Sequence, residues 1–214
     1  NPTDGITKVA FHPSNSELLL STSWDGNAYL HNVRANRTRA KLNTNGAPLD
    51  GCFSSRQPDT TIFAGGLAGT VCKLDVHNYT TTVIGRHDAP VKTIACGGDG
   101  SLVASGSWDA TCRFWDTMAA PTSKPQFNIQ LPDKVYAMDV SKDLLVVAMA
   151  NRHIHLYDTR RPDTPMQRRE SSLKYQTRCV KLFPDATGFV IGSIEGRVGV
   201  EYVDPQDSIQ QQKY

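Results

Sequence analysis

The sequence predicts an all-β chain folded as a propeller of repeated four-stranded sheets, and two observations predict it. The first is a short recurring block: Ser21-Thr-Ser-Trp-Asp-Gly26, Ala64-Gly-Gly-Leu-Ala-Gly69, Ser105-Gly-Ser-Trp-Asp-Ala110 and Gly192-Ser-Ile-Glu-Gly-Arg197. Its equivalent residues Trp24, Leu67, Trp108 and Ile194 stand 43, 41 and 86 positions apart, the last being twice 43. A degenerate copy, Ala148-Met-Ala-Asn-Arg152, fills the gap. The second is an alternation of short apolar runs and turn residues within every unit, with no eleven-residue segment carrying a helical stripe. Four short strands at a period of 40–45 make one propeller blade, and 214 residues hold about five such units.

The elements follow in order within each unit. An apolar run opens it, at 6–11, 49–53, 91–96, 135–140 and 178–183. A second run ends in small residues, at 18–23, 62–66, 102–107, 144–150 and 189–193. After a Gly, Asp or Asn turn comes a third, tipped by Leu30-His-Asn, Leu74-Asp-Val, Phe114-Trp-Asp or Leu156-Tyr-Asp. Runs of this length, rich in Val, Ile, Leu and Phe and bounded by turn residues, read as strands. The blades fall at 6–46, 47–86, 87–132, 133–175 and 176–214 of a single domain. The last is incomplete, with three strands and then a polar stretch from Asp204 to Tyr214. Only Asn1 to Gly5 precede the first strand, so neither terminus supplies the missing strand. An open ring leaves sheet edges and an apolar blade face in water, which implies further blades beyond these five.

Composition narrows the function. Lys and Arg number 23 against 21 Asp and Glu, a net charge of +2, which excludes strong nucleic-acid binding by bulk charge. The longest apolar run, Leu144 to Ala150, is far short of a membrane span. The amino terminus has no signal-peptide pattern and no initiator Met, as expected of a trimmed piece. The five cysteines form no C-x-x-C pair and sit mostly in apolar runs, so they read as free thiols in a reducing compartment. The sequons at Asn36 and Asn78 are then chance matches. No nucleophile elbow, zincin motif, phosphate loop or paired-cysteine zinc spacing is present, so the chain reads as non-enzymatic, without cofactor or metal. His153 and His155 share one strand face, a pattern more often a half-exposed sheet surface than a metal site. Arg168 and Arg169 read as an exposed charged loop.

The third unit carries Arg86-His-Asp, Ser105-Gly-Ser-Trp-Asp-Ala-Thr and Phe114-Trp-Asp116 and resembles the WD-repeat family. That resemblance implies a hydrogen-bonded chain of His87, Ser105 or Ser107, Asp109 and Trp115 locking the blade. Buried imidazole and carboxylate are tolerated when every polar atom has a partner. Within the family, the thirteen residues from Gln167 to Cys179, with Ser193-Ile-Glu-Gly-Arg197 and Glu201-Tyr-Val-Asp-Pro205, are similar to the spindle-checkpoint proteins of the budding-uninhibited-by-benzimidazole class. His87-Asp-Ala-Pro-Val-Lys-Thr-Ile94 and Phe114-Trp-Asp-Thr117 lean toward the related messenger-RNA export factors.

The resemblance implies a seven-bladed ring and a non-enzymatic adaptor, nuclear and at the kinetochore in mitosis. It implies an acidic segment of checkpoint kinases or pseudokinases bound through Trp24, Trp108 and Arg197. Both tryptophans precede a turn at a blade rim, where a large aromatic calls for a covering partner. The resemblance further implies that Arg178 and Lys174 receive the phosphothreonine of Met-Glu-Leu-Thr repeats on a phosphorylated kinetochore scaffold, a task suited to the planar fork of arginine. The alternative it leaves open is a nuclear-pore-associated export factor holding a nucleoporin segment. The run Ile194-Glu-Gly-Arg197 equals a common protease site but falls at the repeat's turn.

Overall fold

A computed structural model describes residues 1–118 and 124–204. Nineteen strands occur among them, in five antiparallel meanders. The first sheet holds β1 Ile6–Phe11, β2 Leu18–Ser23, β3 Asn27–Asn32 and β4 Arg37–Asn43; the second β5 Pro48–Phe53, β6 Thr61–Gly66, β7 Thr70–Asp75 and β8 Thr80–Arg86. The third holds β9 Val91–Cys96, β10 Leu102–Ser107, β11 Thr111–Asp116 and β12 Phe127–Gln130; the fourth β13 Val135–Ser141, β14 Leu144–Met149, β15 His153–Asp158 and β16 Gln167–Glu170. The fifth has three described strands, β17 Thr177–Leu182, β18 Gly188–Ser193 and β19 Val198–Tyr202. The all-β propeller architecture of successive four-stranded meanders expected from the repeat is the one observed. Residues 205–214, most of the polar stretch expected to end the fifth unit, lie outside the described residues.

Each turn between second and third strands needs a left-handed residue. Gly26, Gly69 and Gly196 supply it without steric cost, whereas Ala110 and Asn151 adopt φ of 60° and 55° with a Cβ present. The same hydrogen bond closes every unit at this end. Trp24, Leu67, Trp108, Ala150 and Ile194 donate their backbone N–H to the carbonyls of Gly5, Ala47, Pro90, Lys134 and Gln176.

The core lies between sheets. Leu20, Leu30 and Leu42 of the first pack on Ile62, Ala64 and Leu74 of the second, and each later pair of neighbours is joined by a similar layer. The run Leu144–Met149 shows why an inner blade reads as continuously apolar. Leu145, Val147 and Met149 face the third sheet, while Leu144, Val146 and Ala148 face the fifth, so both faces of one strand are buried. Two carboxylates stitch neighbouring sheets: Asp50 accepts from the Ile94 N–H at 3.0 Å and the Thr93 hydroxyl at 2.9 Å, and Asp139 accepts from the Leu182 N–H at 2.8 Å. The two end sheets leave Phe11 and Val198 more than 60% exposed.

Arg168 and Arg169 correct the sequence reading. They lie on β16 and not in a loop. Arg169 is half-buried, its guanidinium donating to the Tyr202 and Val203 carbonyls and to Gln167. Polar residues on a short outer strand leave no apolar alternation from which to predict one.

Candidate functional site

Every first strand carries a β-bulge at its second residue. The pairing slips between Ile6 and Lys8, Pro48 and Asp50, Val91 and Thr93, Val135 and Ala137, and Thr177 and Cys179. The bulged residues are therefore Thr7, Leu49, Lys92, Tyr136 and Arg178. A bulge re-aims its side chain, and here all five border one cavity of about 220 Å³ among the first strands.

Lys8 and Asp50 join this lining as an ion pair at 3.3 Å, and the neighbouring carboxylate raises the Lys8 pKa. Burial lowers that of Lys92; Asp50 opposes the shift, and the like charges of Arg178 and Lys8 reinforce it. Three cations thus share the cavity with the single carboxylate of Asp50. Beside Arg178, the buried hydroxyls of Thr177 and Ser193 have no hydrogen-bond partner among the described residues. Cations in excess, together with unused hydroxyl donors, favour an anionic group.

The residues anticipated for the rim lie at the end of the sheets where the first strands begin. Trp24 is 45% exposed, Trp108 is half-buried with its indole N–H unpartnered among the described residues, and Leu67 and Ile194 are exposed at the equivalent turns. Lys174 is exposed on the connection into β17, its ammonium 5.6 Å from the Tyr175 ring centre. Arg197 is exposed in the β18–β19 turn, 3.7 Å from Glu195. The 3.1 Å bond from Ile194 N–H to Gln176 C=O ties that turn to the connection holding Lys174, so Lys174, Arg178 and Arg197 share one end of the fifth sheet. Trp24 and Trp108 belong to the first and third sheets. Lys8, Lys92, Tyr136 and Asp50 escaped the sequence reading, although the bulge positions recur every 42–44 residues.

Behind the rim, the third sheet contains a buried polar chain. The Trp115 indole N–H lies 2.7 Å from the Ser105 hydroxyl, which lies 2.7 Å from His87 Nε2; His87 Nδ1 lies 3.0 Å from Asp109. Indole can only donate and carboxylate only accept, and a neutral imidazole protonated on Nδ1 satisfies both ends, with the Arg113 carbonyl a further 3.3 Å contact of the Ser105 hydroxyl. Trp115 then donates to Ser105, Ser105 to Nε2, and Nδ1–H to Asp109. Burial lowers the His87 pKa accordingly, and although burial pushes the Asp109 carboxyl up, the hydroxyl of Thr111 and the imidazole hold it low. Ser107 instead bonds the Ala89 and Pro90 carbonyls and caps the turn. The first sheet has a variant, with Ser21 2.8 Å from His31 and the Tyr29 hydroxyl donating to Asp25 at 2.6 Å.

Residues 1–32 and 78–116 match the WD domain, G-beta repeat family. Those two stretches carry WD repeats. Over its whole length it is 35% identical to the mitotic checkpoint protein bub3 of Dictyostelium discoideum and 38% identical to mitotic checkpoint protein BUB3.1 of Arabidopsis thaliana, covering 63% and 62% of those proteins. Over 97% of its length it is 35% identical to the mRNA export factor rae-1 of Caenorhabditis elegans, covering 59% of that protein. The chain thus spans about three-fifths of the length of these curated relatives.

Proposed function

We propose that this WD-repeat chain is part of a non-enzymatic adaptor of the mitotic spindle checkpoint. The observation that carries the reading is the convergence of Lys8, Lys92 and Arg178 on one cavity holding a single carboxylate. Similarity to two mitotic checkpoint proteins supplies the context. In this reading Arg178 and Lys174 receive the phosphothreonine of a kinetochore scaffold. Trp24, Trp108 and Arg197 hold an acidic segment of a checkpoint kinase or pseudokinase. Arginine suits the first role because its fork makes paired charge-assisted bonds to phosphate. Exposed tryptophan suits the second, since it loses little conformational freedom on being covered. His87, Asp109 and Trp115 are structural, holding the third blade so that Trp108 projects at its end. The site of action is the nucleus, and the kinetochore in mitosis.

Titration of a labelled acidic peptide tests the docking role. Trp24→Ala should weaken binding by about 10-fold or more, the scale of an interface hot spot, with unchanged melting temperature. Equal affinity of wild type and variant refutes it. A second reading, messenger-RNA export, is favoured by the identity to the export factor rae-1. It predicts preference for a nucleoporin segment, and RNA binding that falls steeply with salt.

A further inference from the structure

An outer cleft opens between the third and fourth sheets. It has a volume of about 730 Å³, within the range of small-molecule pockets, and none of its lining residues borders the cavity among the first strands. The repeat provides an internal control. In the third sheet the cleft on β11 holds Trp115 and Arg113, and both are used: Trp115 bonds Ser105, and Arg113 donates to the Arg86 carbonyl at 2.5 Å and to Asp88 at 3.3 Å. Only about 280 Å³ remains open there.

In the fourth sheet the corresponding pair is His155 and Tyr157, and the serine is lost. Ser105 faces Arg113 across its strand pair, whereas Val147 faces His155. His155 Nδ1 and the Tyr157 hydroxyl, 3.2 Å apart, have only each other among the described residues. A neutral imidazole and a phenol carry one N–H and one O–H between them. Whichever donates within the pair, one polar hydrogen is left over for the cleft. Burial keeps the phenol protonated, its pKa pushed up to about 12.

Arg168 stands directly opposite His155 on β16 and has no ion-pair or hydrogen-bond partner among the described residues. The remaining charges of the lining are mostly spent. Arg169 is bonded to backbone carbonyls, and Glu170 pairs with Arg152 at 3.2 Å. Asp163 alone, exposed at the edge, opposes Arg168. The opposite wall offers the apolar side chains of Ile129 and Pro132, with Gln130 between them.

We propose that this cleft binds a phosphate monoester carried on an aromatic or apolar body, the phosphate taken by Arg168 with the His155–Tyr157 pair and the body lying against Ile129 and Pro132. The site is independent of the checkpoint reading. The test is a titration of the full chain with phenyl phosphate, inorganic phosphate and phenol, followed by NMR of the six histidine rings. Phenyl phosphate should bind tightest and shift the signals of His153 and His155 selectively. Arg168→Leu, a solvent-side change, should weaken it at least about 10-fold, as for loss of a charged hydrogen bond. Asp163→Asn should tighten it. Phenol or inorganic phosphate binding as tightly as phenyl phosphate overturns the proposal, as does wild-type affinity in Arg168→Leu. Phenyl phosphate that leaves both histidine signals in place overturns it as well.

Discussion

Replacing Ser105 with alanine removes one oxygen and with it the bonds to Trp115 and His87 and a longer one, 3.3 Å, to the Arg113 carbonyl. The hydroxyl accepts from the Trp115 indole N–H and donates to His87 Nε2, both at 2.7 Å, and Ser105 is fully buried. In Ser105→Ala the indole N–H loses its acceptor and Nε2 its donor, with no water-exposed alternative for either. An orphaned buried polar group costs about 1–3 kcal/mol, so the two together should lower stability by roughly 2–6 kcal/mol. That is a large part of the 5–15 kcal/mol or so that holds a typical domain folded. Urea unfolding of wild type, Ser105→Ala and the exposed control Ser16→Ala measures it. Trp115→Phe supplies the second arm of a cycle. It removes the donor that Ser105→Ala orphans, so it should cost at least about 1 kcal/mol less in the alanine background than in wild type. A Ser105→Ala loss within about 0.5 kcal/mol of the control, or strict additivity in the cycle, refutes the buried chain.

Other consequences follow from the same geometry. A Cβ at Gly85 would sit 2.2 Å from Trp115 Cζ3, so Gly85→Ala should destabilise by about 1–3 kcal/mol in urea unfolding. Ala110 holds a left-handed φ of 60°, so Ala110→Gly should stabilise by about 0.5–1 kcal/mol, visible as a raised thermal midpoint. Burial lowers the pKa of His31, His87 and His155 from the usual 6.5. The unfolded chain therefore binds protons that the folded chain resists. Stability should be full above about pH 7 and decline as pH falls through about 6.5, so a urea midpoint higher at pH 5.5 than at pH 7.5 would contradict this.

Much of this fold was legible because blade packing writes itself into the sequence twice. The turn blocks around Trp24, Leu67, Trp108 and Ile194 recur in one register, and strands buried on both faces, such as Leu144–Met149, read as unbroken apolar runs. Outer strands were harder: β16 reads Gln-Arg-Arg-Glu, and its pairing with β15 is imposed by the meander and not by apolar alternation. The polar chain was visible in kind, but choosing Ser105 over Ser107 needed side-chain direction, since the two lie on the same strand face one period apart. The cavity was only partly legible. Arg178 was singled out, yet Lys8, Lys92 and Tyr136 were not, because a bulge leaves no compositional mark on a strand. Asp50 sits among apolar neighbours at the second strand-pair position, and its role as the lone carboxylate emerges only when the first strands are brought together.

The proposed adaptor role requires Arg178 and its cationic neighbours to read phosphate. The measurement that bears on it most directly is the affinity of the full chain, and of Arg178→Ala, for a Met-Glu-Leu-phosphoThr peptide and its unphosphorylated twin. Loss of a charge-assisted bond is worth about 1.5–3 kcal/mol, so wild type should prefer the phosphorylated peptide by about 10-fold or more and Arg178→Ala should lose most of that preference. Equal affinity of the wild-type chain for both peptides, or an undiminished preference in Arg178→Ala, would contradict it.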